Sequence, residues 1–418
     1  MKIGFFIDTF FPMIDGVVMV VDNYARRLSK NHEVTVFCPE YPGTVYDDSG
    51  FPYKVIRCQS AKVPFLDYSL PVPDLDLKFT AQLLKYDLDL VHIHSPFSMG
   101  QSGLRYALAH HVPAVATMHS QYRQDIEKAL RSKTLIDDLM AELIGLYDKC
   151  DECWAVSGEI ARLFYEDYGC KTLPSVMGNA TEMLPVKDVD AARQSIDKKH
   201  GLKPDQKVFL FVGRINTLKN IFFIVDALQQ LNIKLAAEEK PAFYYRMLFV
   251  GSGKEEEDLK SYVTERGIDE QITLCGRVTD RSELENYYAR ADLFLFPSLY
   301  DASSIVQIEA AAQKTPTIFL RGAATASNIK EGHNGYISEN DPVAFADMIY
   351  SAMTEEDTYR AISDAAYNEL YVQWDDVVSR AEKRYLELIE KKKSEPVNED
   401  NLLKKIVEKV KDLEQSIK

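Results

Sequence analysis

Two carboxylates stand eight positions apart in the C-terminal half, in the run Phe294-Leu-Phe-Pro-Ser-Leu-Tyr-Asp301-Ala-Ser-Ser-Ile-Val-Gln-Ile-Glu309. Leu293 to Pro297 reads as a short buried strand, and Ile305, Ile308, Ala311 and Ala312 recur at helical spacing. In an open α/β sheet a ligand binds at this carboxyl end of the strands, where the helix N-terminus offers unpaired N–H groups to an anion. Asp301 is therefore expected at the rim of a cleft, with Glu309 two turns deeper. Carboxylates beside an anion site suit a phosphate flanked by hydroxyls, as in a sugar nucleotide.

Candidate cations lie upstream. Val208 to Gly213 reads as a buried strand ending in glycine, followed by a loop that carries Arg214 and Lys219. Arginine brings a bidentate fork and lysine a movable point charge, so the two can reach a diphosphate from two directions. Near the N-terminus, Gly16 closes the loop after strand 3–7 and permits close approach of an anion to the following helix. The dinucleotide pattern G-x-G-x-x-G occurs nowhere, and Val250-Gly-Ser-Gly253 lacks its third glycine, which disfavours a nicotinamide or flavin enzyme. His92, His94 and His119 fall at the ends of strands. An H-x-H on a strand can hold a metal, but no third ligand accompanies this one, so no metal is assigned. His119 is expected to meet substrate and His92 to make structural hydrogen bonds.

Apolar runs alternate with helix-length segments and so position these residues. Strands are predicted at 3–7, 34–37, 89–93, 113–118 and 153–156, with helices near 17–30, 98–110, 122–149 and 157–168. A polar, proline-containing stretch at 180–207 follows. Strands then return at 208–213, 245–250, 272–275, 293–297 and 316–319, separated by helices. This rhythm predicts an α/β protein with two Rossmann-like domains, each a parallel sheet covered on both faces. Helices are further predicted at 342–353, 356–371 and 375–393.

Composition narrows the class. At 418 residues the chain exceeds one core, and with 46% hydrophobic and 27% charged residues it is ordinary for a globular protein. A net charge of −15, spread over both halves, argues against nucleic acid as a partner. No apolar run approaches the roughly 20 residues of a membrane span, and a strand starts at the N-terminus, so a cytoplasmic location is expected. Cys150-Asp-Glu-Cys153 reads as packing, because no second ligand pair accompanies it.

Taken in order, Gly16-Val17, Asp89-x-Val-His-x-His94, Thr117-Met-His119, Ala155-Val-Ser157, Gly213-Arg214 with Lys219, Val250-Gly-Ser-Gly253 and the carboxylate pair resemble the family 4 retaining glycosyltransferases. The similarity covers residues 1 to about 390. It implies the GT-B architecture: residues 1–185 as an acceptor-binding domain completed by a crossover helix at 375–393, residues 186–372 as a nucleotide-sugar-binding domain, and 394–418 as a linker and amphipathic tail helix. By the same resemblance Arg214 and Lys219 bind the donor diphosphate. Glu309 holds the ribose, Asp301 contacts the sugar, and the backbone of Ser303, Ser304, Ile305 and Val306 faces the phosphate or sugar. Main-chain atoms at Val278 meet the base, His119 approaches the transferring sugar as a catalytic group with Asp301, and Gly16 nears the diphosphate. The implied reaction is a retaining, metal-independent hexose transfer from a nucleoside-diphosphate sugar, by default UDP-glucose, with no cofactor. The acceptor hydroxyl, on a lipid or a glycan, falls to the first domain, where His94, Tyr122 and Arg123 are candidates.

The sequence departs from the family where E-x7-E is written D-x7-E, and where Ser303 and Ser304 replace the usual small or aromatic residue and glycine. Those departures keep a sugar-nucleotide epimerase and a non-catalytic subunit as alternatives. In the tail, Leu403, Ile406, Val410, Leu413 and Ile417 form an a/d stripe over two heptads. Its charges balance, which suits self-association or docking better than peripheral contact with the inner face of a membrane.

Overall fold

The first half contributes nine strands among the described residues, and the inner ones are largely apolar, the pattern of a sheet buried on both faces. The nine are β1 Lys2–Phe6, β2 Glu33–Pro39, β3 Lys54–Cys58, the antiparallel pair β4 Ser60–Lys62 and β5 Ser69–Pro71, β6 Leu90–Ile93, β7 Ala114–Met118, β8 Glu152–Ala155 and β9 Ser175–Val176. Seven of them form a parallel sheet in the order β3-β2-β1-β6-β7-β8-β9. The computed structural model describes residues 1–62, 69–203, 205–238, 241–299, 301 and 303–396, without the side chains of Lys128 and Ala129. The tail stripe from Leu403 to Ile417 lies outside the described residues.

Helices α1 Gly16–Leu28, α2 Leu77–Leu83, α3 Ser98–His110, α4 Tyr122–Ala129, α5 Lys133–Tyr147 and α6 Gly158–Arg162 cover this sheet. Asp15 caps α1 by accepting from the Val18 N–H at 2.8 Å. The single helix expected over 122–149 is broken between α4 and α5, where Ser132 caps the second piece.

The second unit comprises Asn179–Gln373, and the first is Met1–Gly178 together with the chain from Trp374 onward. The boundary therefore falls earlier than the 185/186 expected from the sequence. A helix, α7 Val189–His200, occupies much of the polar, proline-containing stretch at 180–207, capped by Asp188 and ended by left-handed Gly201. Only Ala192 and Ile196 of α7 are buried, too few apolar positions to stand out as a periodic pattern. The unit continues as β10 Lys207–Val212, α8 Ile221–Ala236, β11 Tyr245–Val250, α9 Glu256–Arg266, β12 Ile272–Gly276, α10 Arg281–Arg290, β13 Leu293–Phe296, α11 Ile305–Ala312, β14 Thr317–Leu320, β15 Tyr336–Ser338, α12 Pro342–Thr354 and α13 Glu356–Leu370. Its six strands form a parallel sheet in the order β12-β11-β10-β13-β14-β15. Phe209, Phe211, Leu293, Leu295 and Ile318 on one face and Leu210, Phe294 and Phe319 on the other are fully buried. Each contributes about 1.5–3 kcal/mol relative to exposure, so the sheet holds its strand ends rigidly.

The last described helix, α14 Trp374–Ser394, belongs to the first unit. Tyr385 stacks on Trp154 at 5.4 Å, and Asp375 pairs with Arg27 and Lys392 with Asp151, each at 2.7 Å. No helix among the described residues is long and apolar enough to cross a membrane.

Candidate functional site

At the carboxyl ends of the second sheet three loops interlock through glycines. The Gly213 N–H donates to Val250 O at 3.0 Å, Ile215 N–H to Ser252 O at 3.1 Å, and Gly251 N–H to Gly276 O at 2.9 Å. A Cβ on Gly251 would lie 1.8 Å from Gly213 O, and one on Gly253 would lie 2.0 Å from Ile215 O. The Val250-Gly-Ser-Gly253 motif thus exists so that the β11 loop can press against the β10 loop. That contact fixes where Arg214 and Lys219 emerge.

Arg214 is exposed and has no ion pair among the described residues. Lys219 ends a short 3-10 turn capped by Asn216, and left-handed Asn220 (φ 59°) passes the chain into α8. The Lys219 ammonium sits 2.5 Å from Asp301 Oδ1, with both side chains largely buried. Two groups that the sequence reading sends to one ligand therefore hold each other in this state. Asp301 Oδ2 is buried and unpartnered among the described residues.

Helix α11 starts at Ile305, so Glu309 falls in its second turn, closer to the N-terminus than expected. Ser304 occupies the cap position without a side-chain hydrogen bond to the first turn. The N–H groups of Ile305 and Val306 are thereby left for an external anion. Tyr288 donates its hydroxyl to Glu309 Oε2 at 3.0 Å, and Thr181 adds a second hydrogen bond. Burial pushes the Glu309 carboxyl up, against the pull of these partners and of Arg281. Val278, half-buried against the core, follows left-handed Gly276 (φ 70°) at the end of β12.

The segment after Gly178 is the part the sequence reading missed. Asn179 Nδ2 donates to Ser303 Oγ at 3.3 Å, and Gln313 of α11 ties the same segment down through Leu184 O at 2.7 Å and the Val186 N–H at 3.0 Å. Asn179, Thr181 and Tyr288 carried no signal in the sequence, because only the tertiary fold brings them to α11. Chemically, the cluster joins two cations, a helix N-terminus and two carboxylates. It suits an anion bordered by hydroxyl groups.

In the first unit, His94 and His119 follow the ends of neighbouring strands β6 and β7. His94 Nδ1 lies 3.0 Å from His119 Nε2, and the rings are 1% and 9% exposed. Burial lowers the His119 pKa to about 3 and holds His92 and His94 well below the usual range. His92 is structural, as expected, bonding Tyr385 at 2.6 Å and Thr117 at 2.7 Å. His94 and Tyr122, read as acceptor-side candidates, are both buried, and Arg123 pairs with Asp137 and Glu127. Gly16 opens α1, with nothing within 4 Å of where its Cβ would stand. Asp8 also went unnoticed in the sequence. Its Oδ1 accepts from the Met99 N–H at 3.0 Å at the start of α3, its Oδ2 is buried and unpartnered among the described residues, and burial raises its pKa to about 7.

The chain is similar to known glycosyl transferases in sequence and fold. A model of the group 1 glycosyl transferases matches residues 192–369, and one of glycosyltransferase family 4 matches residues 14–180. The chain is 25% identical over 332 residues to the alpha-monoglucosyldiacylglycerol synthase of Streptococcus pneumoniae, spanning 76% of this chain and 70% of that protein. Among solved structures it resembles sucrose-phosphate synthase from Thermosynechococcus elongatus, with TM-score 0.73, 19% identity, and 93% of this chain and 99% of that one covered. It also resembles Anabaena HepE in complex with UDP and glucose, with TM-score 0.68, 15% identity, and 92% and 99% covered. These two likenesses show the fold, which is GT-B.

Proposed function

Since the chain belongs to the family 4 glycosyltransferases, we propose that it moves a hexose from a nucleoside-diphosphate sugar, by default UDP-glucose, to a lipid hydroxyl with retention of anomeric configuration. The cluster of Arg214, Lys219, the α11 N-terminus and Glu309 at one sheet edge is the observation that carries this reading. Glucose from UDP is suggested by the HepE complex, and a diacylglycerol-type acceptor by the name of the streptococcal relative.

In this reading Glu309 accepts from the ribose hydroxyls, with Tyr288 and Thr181 holding the carboxylate in place. The main chain at Val278 meets the base. Lys219 leaves Asp301 for the diphosphate when the donor binds, and Asp301 then accepts from hydroxyls of the sugar. As the bond from the sugar C1 to the phosphate oxygen breaks, charge grows on the diphosphate. Arg214, Lys219 and the N–H groups of Ile305 and Val306 stabilise it without a metal or other cofactor. The acceptor oxygen bonds to C1 on the face the diphosphate leaves, and its proton passes to the departing phosphate oxygen. Both carboxylates of the cluster, Asp301 and Glu309, are assigned to hydroxyl groups in this reading, so neither is given the part of a covalent nucleophile. In the first unit, His119 is assigned to the transferred sugar and Gly16 to the diphosphate.

A thermal-shift panel of nucleotide sugars tests the donor assignment, because a true donor stabilises the folded state by mass action. UDP-glucose is expected to raise Tm more than GDP-mannose, ADP-glucose or free glucose. A panel in which no nucleotide sugar moves Tm would overturn the reading.

A further inference from the structure

Between His94 Nδ1 and His119 Nε2 the separation is 3.0 Å, and the rings stack at 5.3 Å with 23° between their planes. With both rings neutral, this contact holds one proton, and either ring could supply it. The surroundings of His94 decide between the two. Its Nε2 is buried without a partner among the described residues. The Phe5 and Tyr24 rings wall it in at 5.3 and 6.0 Å, and the nearby His92 already has both nitrogens engaged by Tyr385 and Thr117. If His119 donated, the His94 proton would sit on Nε2 and strand a buried N–H. If His94 donates, only a lone pair is stranded there, and orphaned buried N–H groups are the rarer case.

We propose that His94 is a positioning residue which donates from Nδ1 to His119 Nε2 and so fixes His119 as the Nδ1–H tautomer. His119 then presents a hydrogen-bond donor, since Nδ1 has no other partner among the described residues. Neither of its nitrogens keeps a free lone pair, so it cannot take the acceptor proton. The consequence for catalysis rests on the reading that His119 meets the transferred sugar: its N–H grips a sugar oxygen and does no acid–base work.

The test is long-range ¹H–¹⁵N NMR on the full chain with labelled histidine, eight in all, with the His119 ring assigned by a His119→Gln comparison. The unliganded protein at neutral pH is expected to show His119 protonated at Nδ1 alone. His94→Leu should give mixed tautomers and lower kcat by at least about tenfold with the donor KM little changed, because a ring in the wrong tautomer is catalytically misplaced. His94→Asn keeps an amide N–H where Nδ1 stood and should restore both the tautomer and most of kcat. A proton on Nε2 of His119, or a tautomer unmoved in His94→Leu, would overturn the proposal. A His119 tautomer that follows the proposal in all three proteins, with kcat unchanged in His94→Leu, would instead overturn the placement of His119 at the sugar.

Discussion

In the proposed reading, donor binding exchanges the anionic partner of Lys219, whose ammonium lies 2.5 Å from Asp301. The exchange is cheap if the incoming diphosphate is the stronger partner, and it frees Asp301 for hydroxyl groups. Arg214 needs no such release, being exposed at the loop. These two situations separate two variants. Arg214→Ala and Lys219→Ala should each lower kcat by about 10² or more, the scale of removing one charge-stabilising group. Only Lys219→Ala should also lower Tm, because it leaves a partly buried carboxylate unpaired, at a cost of about 1–3 kcal/mol. Steady-state kinetics beside thermal denaturation checks both, and near-normal turnover in both variants would sink the diphosphate assignment. The cations, carboxylates and glycines of this cluster were legible because their chemistry is written in residue type and local spacing. Asn179, Thr181, Tyr288 and Asp8 were not, because such residues serve turns, caps and cores far more often than sites. The pairing of Lys219 with Asp301 was equally hidden, since 82 residues separate them in sequence.

Strand-end loops, rather than the helices, set the precision of the second unit. Gly253 has no positive φ and would tolerate a side chain by backbone conformation alone; what forbids one is Ile215 O, 2.0 Å from the Cβ position. Gly253→Ala should therefore push the β10 and β11 loops apart, destabilise the unit by about 1–3 kcal/mol, and displace Arg214 and Lys219 together. A fall in Tm of several degrees accompanied by a raised donor KM is the expected pair of results. An unchanged Tm would show that the loops yield freely. The inner parallel strands of both sheets were readable from unbroken apolar runs such as Val208 to Val212, whereas β3 and β9 at the edges of the first sheet, only partly buried or exposed, were not. Helix α7 was not, with two buried positions, and neither was the short edge strand β15, whose three residues carry no pattern of their own. The break between α4 and α5 escaped for a related reason. The helical pattern runs across Leu130 to Ser132 and only the cap at Ser132 marks the restart.

At the scale of the whole chain, each unit is a parallel sheet whose strand ends carry the chemistry, and α14 completes the first unit after the second has been built. A lipid acceptor would be met at a membrane surface by the described residues, none of whose helices is long and apolar enough to cross a membrane. In the proposed reaction the hexose passes to the acceptor with retention of its anomeric configuration and without a metal. The most direct measurement follows the full chain by ¹H NMR with UDP-glucose and diacylglycerol vesicles, reading the anomeric coupling of the first product formed. The expected product is an α-glucoside, the configuration of the donor, formed equally well after exhaustive chelation of metals. A β-glucoside, or release of free glucose without transfer to lipid, would contradict it.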